Sequence, residues 1–490
     1  MAFWFLLLLG LVTYLMVQRS VAAITRTPVW ILWLVIMTPA LLWSAWTAIY
    51  GPNLPPPLAL RIGPFVICPI LYWLLIQWGR RQATPTAQGQ APEAKPSVDV
   101  TSAPSVVRPI DQSEETQLRN CFPWSVYYIH NIEYRPQAVI CRGQLRAAPA
   151  VAYQKIRENI EAQFGDRFLV IFQEGLNGKP FFALVSNAQS QTVGQRSTEP
   201  LTRPVLALGL LTATLLTTTI VGLELAGVSI SAVKSNPSVL LNGLSYALAL
   251  MTILGIHESG HYLAARFYKI RSTLPYFIPV PFFLGTFGAF IQMRSPVPDR
   301  KALFDVSIAG PLAGFVVTLP VLMWGLAHST LVPLSTKSGI LNPNAFNPNY
   351  SLLLALLSKL MLGAQLTATK AIDLHPVALA GFLGLVVTAL NLMPVGQLDG
   401  GHIVHAMLGQ RSAVAIGQVA RLLLLGLSLV QPGLLLWAII LFLMPISDQP
   451  ALNDVTELDN KRDLWGLLAL VLLVVIILPA PRFISQLLQT

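Results

Sequence analysis

Gly255-Ile256-His257-Glu258-Ser259-Gly260-His261 closes an apolar run that begins near residue 238. Residues i and i+4 share one face of a helix, so His257 and His261 aim their imidazoles the same way. His-Glu-x-x-His on a helix is a metal-binding pattern, with two neutral imidazoles for one ion and a glutamate beside them as a base. Two His and a Glu at the end of an apolar helix are costly unless they are ligated or paired. That cost makes a chance five-residue match the weaker reading.

A catalytic zinc site usually has three protein ligands and a water, so two His are one ligand short. A second apolar run ends Asn391-Leu392-Met393-Pro394-Val395-Gly396-Gln397-Leu398-Asp399-Gly400-Gly401. Pro394 lacks an N–H and clashes one turn back, so it is expected to free the Leu390 carbonyl and open the helix. Gly400 and Gly401 are expected to permit a sharp turn, and Asp399 offers a carboxylate just beyond the apolar segment. Taken alone, this second stretch also reads as a polar helix end with an ordinary turn.

The remaining composition describes the solvent of these helices. The chain of 490 residues is 54% hydrophobic and 11% charged, against about 25% charged in soluble domains. Its mean hydropathy is +0.61. Apolar runs lie near 3–24, 29–50, 60–79, 204–225, 238–265, 302–326, 375–394, 413–430, 434–447 and 464–480. The expected fold is a polytopic α-helical membrane protein with about eight to ten transmembrane helices. The formal charge of +10 fits topology-setting Lys and Arg in short loops. No basic stripe with interleaved aromatics appears, so no nucleic-acid partner is expected. The three cysteines have no regular spacing that would suggest a disulfide framework, although Cys121 and Cys141 could approach each other. The first residues lack the positive region of a signal peptide, so the first run reads as a retained helix.

Arg19 and Arg26 follow the first run, Arg80 and Arg81 the third; Arg203 precedes the fourth; Arg266, Lys269 and Arg271 follow the fifth. All four clusters fall on one side if the N-terminus is outside, which makes that side cytoplasmic. The run 238–257 and the run 375–394 each cover ~28 Å and enter from the same side. His257 and Asp399 should therefore reach one level near the cytoplasmic face. This requires Leu352–Leu362, too short to span and carrying Lys359, to be an interfacial or cavity-lining helix.

Residues 1–80 hold the leading helices. Residues 81–112, rich in Pro, Ala, Gln, Ser and Thr, read as a flexible linker. Residues 113–190 read as a small cytoplasmic α+β insert of ββαββ order. Its strands are Ser125–Tyr134, Gln137–Arg142, Arg167–Gln173 and Pro180–Ser186. Its helix is Pro149–Phe164, with Val151, Ile156, Ile160 and Phe164 on one stripe. Residues 204–410 form the membrane core that carries both motifs, and 411–490 the C-terminal helices.

His-Glu-x-x-His followed by Asn-x-x-Pro-x-x-x-x-Asp-Gly, here Asn391 to Gly400, resembles the site-2 protease family of intramembrane zinc metalloproteases. The resemblance covers about 238–410, the family's three-helix catalytic core. It implies one Zn2+ per chain held by His257, His261 and Asp399. Glu258 would activate water, and Asn391 would hydrogen-bond the reacting carbonyl or substrate backbone. Phe287-Gly288-Ala289-Phe290-Ile291-Gln292-Met293 resembles the family's re-entrant β-loop. That makes Gly288, Ala289, Phe290 and Ile291, with Asn391 and Pro394, candidate substrate contacts. Ala309-Gly310-Pro311-Leu312-Ala313-Gly314 resembles its central helix, where small residues allow close packing. The insert and leading helices look like the chloroplast and cyanobacterial branch. That branch carries Gly-Asn-Leu-Arg ahead of the core, where this chain has Gly143-Gln144-Leu145-Arg146.

The expected function is intramembrane endoproteolysis of membrane-protein substrates, of the single-span kind, in a plasma or thylakoid-type membrane with the site toward the cytoplasm. Other classes are a transporter, which would want a repeated broken helix in the other half of the chain, and a silent membrane adaptor. A membrane zincin with a glutamate as third ligand is a further variant. His402 and His405 are alternative ligands but are expected at the interface. His130, His328 and His375 read as isolated, and Asp305 is expected to pair with Lys301 or Arg300.

Overall fold

The computed structural model describes residues 27–51, 110–135, 138–175, 178–187, 203–228, 236–280, 284–334, 342–430 and 434–481, with isolated positions elsewhere. Most of the run 3–24, nearly half of 60–79, the clusters Arg19/Arg26 and Arg80/Arg81, and the linker up to residue 109 lie outside the described residues. Two compact units are present, Met1–Ala103 and Pro104–Thr490. In the first, helix α1 (Val29–Tyr50) is apolar throughout, and the Trp33 indole donates to the Gly10 carbonyl at 2.7 Å.

The second unit opens with α2 (Gln112–Asn120), whose Asp111 and Glu114 form a reciprocal capping box. The insert follows as β1 (Tyr127–Arg135), β2 (Ala138–Leu145), α3 (Pro149–Phe164), β3 (Phe168–Glu174) and β4 (Pro180–Ser186). The helix occupies the residues its apolar spacing marks, with Ile156 and Ile160 fully buried, but Val151 is 58% exposed and Ala152 and Tyr153 face the core in its place. The strands form one sheet in the order β1-β2-β4-β3 with antiparallel neighbours. Tyr127, Phe172, Phe182 and Leu184 fill its core. Cys121 and Cys141 are buried free thiols. Burial pushes the Cys141 thiol up to about 12, which keeps it protonated and inert near neutral pH.

The core helices are α4 (Pro204–Leu225) and α5 (Leu240–Phe267). A hairpin of β5 (Tyr276–Pro279) and β6 (Thr286–Phe290) comes next, and α6 (Arg300–Ala327) after it. On the opposite end of α6 lie β7 (Thr330–Pro333), the short α7 (Leu352–Leu362) and β8 (Lys370–Asp373), which pairs with β7. Then come α8 (Pro376–Leu392), α9 (Asp399–Val430), α10 (Leu435–Leu443) and α11 (Asn460–Ile477). Among the described residues, five helices are long and apolar enough to cross a membrane: α1, α4, α5, α6 and Asp399–Leu429 of α9, the last broken at Gly409. Large apolar side chains on them stay uncovered, among them Leu263 at 63% and Leu423 at 68% exposure. Lipid is the solvent that such faces suit. The chain is thus mostly helical, with a small sheet region, as in a polytopic membrane protein.

Helices α5, α6 and α8 pack side by side. A Cβ on Gly325 would come within 2.2 Å of the Ala378 backbone, and one on Gly381 within 2.6 Å of Leu322. Glycine at these crossings lets the backbones touch. Since α5, α6 and α8 alternate in direction with α7 too short to cross, the ends of α5 and α8 come to the same side. The start of α6 carries its own cap, Asp299 accepting from the Ala302 N–H at 2.8 Å.

Candidate metal centre

His257 and His261 project from the last turns of α5 and are buried at 3% and 8% exposure. Asp399 opens α9. Its Oδ2 lies 3.2 Å from His261 Nε2 and 3.9 Å from His257 Nε2. One ligand atom from each of the three lies within 4.8 Å of the others. Tetrahedral zinc bonded at ~2.0–2.1 Å separates its ligands by roughly 3.3–3.5 Å, so this donor set fits with small adjustments. His261 Nδ1 faces the Val306 carbonyl at 2.8 Å. Donation there assigns the proton to Nδ1 and leaves Nε2 as the free donor toward a metal.

The helix opposite makes room for the rings. A Cβ on Gly310 would lie 2.1 Å from His261 Nε2, and one on Gly314 would lie 3.0 Å from His257 Nδ1. The glycines are spaced i, i+4, as are the histidines, and α6 runs antiparallel to α5, so each ring meets one glycine. The small-residue stripe is legible in the sequence. Its purpose, space for two imidazoles, follows from the matched spacing of the two motifs.

The loop that delivers Asp399 differs from expectation. The Leu390 carbonyl is not left open, because the Met393 N–H donates to it at 3.2 Å. The turn is made at Gly396, whose φ is +53° and whose Cβ would strike the Pro445 carbonyl at 2.1 Å. Gly400 and Gly401 instead lie in the first turn of α9, where a Cβ would meet the Leu392 and Gly396 carbonyls at 2.0 and 2.3 Å. They serve close packing rather than the turn itself.

Glu258 is buried at 8% exposure on the same helix end. The backbone N–H of Ile291, just past β6, faces its carboxylate. The Asn391 amide lies 3.1 Å from His257 Nε2, at the rim of the metal group. Strand β6 pairs with β5 through Tyr276↔Phe290 and Phe277↔Ala289. Phe287 and Phe290 are exposed at 53% and 46%. Gly288 has φ +106°, and Pro394 is buried.

Several other expectations are corrected. His402 and His405 do not join the metal group, and His405 is fully buried rather than at an interface. Asp305 pairs with Arg462 at 2.7 Å, far along the chain, and accepts from the Tyr268 hydroxyl. Arg300 instead reaches Asp454. His328 and His375 are not isolated. Trp324 stacks on His328 at 4.1 Å, and His375 caps α8 through the Val377 N–H. In the insert, Gly143 lies against β1, where a Cβ would be 2.1 Å from the Tyr128 carbonyl. Arg146 stands over Tyr128 and Trp124 at 5.2 and 5.9 Å.

Two imidazoles and a carboxylate from distant helix ends, beside a buried glutamate, form a donor set that can hold one metal ion. Residues 245–429 match the model of Peptidase family M50, and residues 116–192 match that of the EGY3 middle domain. Over 370 residues the chain is 30% identical to "Probable zinc metalloprotease EGY2, chloroplastic" of Arabidopsis thaliana, covering 74% of this chain and 63% of that one. The EGY2 relative of Oryza sativa subsp. indica is 30% identical over 368 residues, covering 74% and 65%. "Probable zinc metalloprotease EGY1, chloroplastic" of Arabidopsis thaliana is 37% identical over 238 residues, covering 48% and 43%. The chain spans less than two thirds of the length of these relatives.

Proposed function

We propose that this protein is an intramembrane zinc endopeptidase that cleaves transmembrane segments of single-span membrane proteins, with one zinc per chain. The carrying observation is the convergence of His257, His261 and Asp399 within 4.8 Å. Zinc held there supplies a Lewis acid that acidifies water toward neutral pH and polarises a carbonyl. Glu258 accepts the proton from the attacking water and passes it to the amine nitrogen as the C–N bond breaks. Its burial holds it free of bulk water. The Asn391 amide donates to the oxygen of the scissile carbonyl, where negative charge develops.

A helical substrate hides its peptide bonds and must unwind to react. The second edge of β6, along Gly288, Ala289, Phe290 and Ile291, offers backbone partners that lipid lacks, and Pro394 lines the approach. In this reading the hairpin is the re-entrant loop. The site faces the cytoplasmic side of a plasma or thylakoid-type membrane, where water is close.

The test is a panel of single-span substrates incubated with wild type and Glu258→Gln, with metal content measured on both. Cleavage by wild type alone, at equal zinc content, is the expected result. Equal turnover by Glu258→Gln would remove the assigned base.

A further inference from the structure

Between α10 and α11 the chain passes as a strap between the insert and the foot of α6. The Leu452 N–H donates to the Val297 carbonyl at 2.9 Å and the Asn453 N–H to the Pro298 carbonyl at 3.0 Å. On its other edge the Phe172 N–H donates to the Leu452 carbonyl at 2.7 Å, and the Asp454 N–H to the Phe172 carbonyl at 2.8 Å. Asn453 thereby bridges Phe172 of β3 and Asp299. Val455 enters the core of the insert. The sheet of the insert is in effect continued to the start of α6.

The acidic side chains of this strap reach α9. Asp448 Oδ2 lies 2.7 Å from His405 Nδ1, and Asp454 Oδ1 lies 3.0 Å from His405 Nε2. Arg300 Nε donates to Asp454 at 3.2 Å. His402 Nδ1 is also 2.7 Å from Asp448 Oδ2, though not aligned for a hydrogen bond. The side chains of His405, Asp448 and Asp454 are 0%, 3% and 5% exposed. With a carboxylate at each nitrogen, the ring donates twice and carries charge. Two cations then balance two carboxylates, the condition under which buried charges are tolerated.

The segment of α9 that carries Asp399 is short. It begins after the turn at Gly396 and ends at Gly409, where φ is +81° and ψ +161°. The rod Asp399–Leu408 is therefore not held in line by the rest of α9, and its orientation depends on side contacts. His405 is gripped at both ring nitrogens, which fixes translation and rotation together. A metal bond of ~2 Å tolerates little displacement of its ligand, and misplacement by ~1 Å is enough to lose most catalysis.

We propose that His405, clamped by Asp448 and Asp454 of a strap anchored on the insert, is a positioning residue for Asp399. This rests on the zinc-peptidase reading above. Buried ion clusters are often replaceable by apolar groups without loss of stability; here the cluster sets the geometry of a ligand.

The test uses the full chain in detergent, as wild type, His405→Gln and Asp448→Asn. Zinc affinity is measured by chelator competition, amide exchange over 400–408 in the metal-free protein, and kcat and KM on a membrane substrate. The expected result is at least a ~10-fold loss of zinc affinity and of kcat with KM nearly unchanged, and faster exchange in the rod. Asp448→Asn keeps shape and one hydrogen bond, so it reports even if His405→Gln folds poorly. Variants that are merely less heat-stable, with zinc affinity and kcat of the folded fraction at wild-type levels, would overturn the proposal. A wild type that neither binds zinc nor cleaves would take the peptidase reading with it, whereas an active wild type matched by both variants sinks the positioning role alone.

Discussion

Asp399 Oδ2 lies 3.2 Å from His261 Nε2, although the two residues sit on different helices at the ends of separate crossings. Three features produce this closeness. Gly310 leaves space for the His261 ring, the Val306 carbonyl fixes the ring's tautomer, and the turn at Gly396 swings the start of α9 back toward α5. The site is therefore a product of backbone proximity as much as of ligand identity.

Gly310→Ala should be among the most damaging single-methyl changes in the core. Its Cβ would sit 2.1 Å from His261 Nε2, whereas Gly314→Ala meets His257 Nδ1 at 3.0 Å. We expect about 100-fold lower kcat/KM and reduced zinc occupancy for Gly310→Ala, and a smaller loss for Gly314→Ala. Metal analysis beside cleavage kinetics checks the order; equal effects would mean that ring crowding is not the cause.

Phe287→Ala should act on substrate and not on metal. The ring is 53% exposed on the hairpin, so folding changes little, by about ±0.5 kcal/mol. Several-fold higher KM with unchanged zinc content is expected in a cleavage assay. Unchanged KM would argue that substrate does not lie along β6.

Gly143→Ala should weaken the insert. The added Cβ would sit 2.1 Å from the Tyr128 carbonyl, beside the register shift between Ile129 and Asn131. Overpacking of this kind costs about 1–3 kcal/mol. Arg146→Ala, which removes cation–π contacts to half-exposed or exposed rings, should cost about 0.5–1 kcal/mol. Thermal unfolding should rank them in that order; a neutral Gly143→Ala would refute the packing role.

The sequence shows its local patterns plainly. The apolar stripe of α3 marks that helix, and His-Glu-x-x-His marks two ligands, because both rely on fixed spacing along the chain; Asp399 joins them only through the crossing count and the resemblance to a known family. What it hides depends on contacts between distant segments. The strap at 448–455 has no strand pattern of its own, and its pairing partners, Phe172 and Val297, lie far away. Asp305 finds Arg462 instead of the adjacent Arg300 or Lys301 for the same reason. The turn at Gly396 was masked by the Gly400-Gly401 pair, whose role in close packing only the neighbouring carbonyls reveal.

Removing the metal should loosen the ends of α5 and α9 together, since one ion would tie them. A ligand that binds only the folded state adds about 2.7 kcal/mol at a hundredfold excess over its Kd. Chelation should therefore lower the melting temperature of wild type and leave that of His261→Ala unchanged. An equal chelator effect on both would mean that the ion sits elsewhere.

The central claim is that two helix ends share one ion, and the zinc-to-protein ratio of purified variants tests it most directly. Wild type and Glu258→Gln should hold about one zinc per chain, and His257→Ala, His261→Ala and Asp399→Ala almost none. Full zinc occupancy in Asp399→Ala would contradict the account.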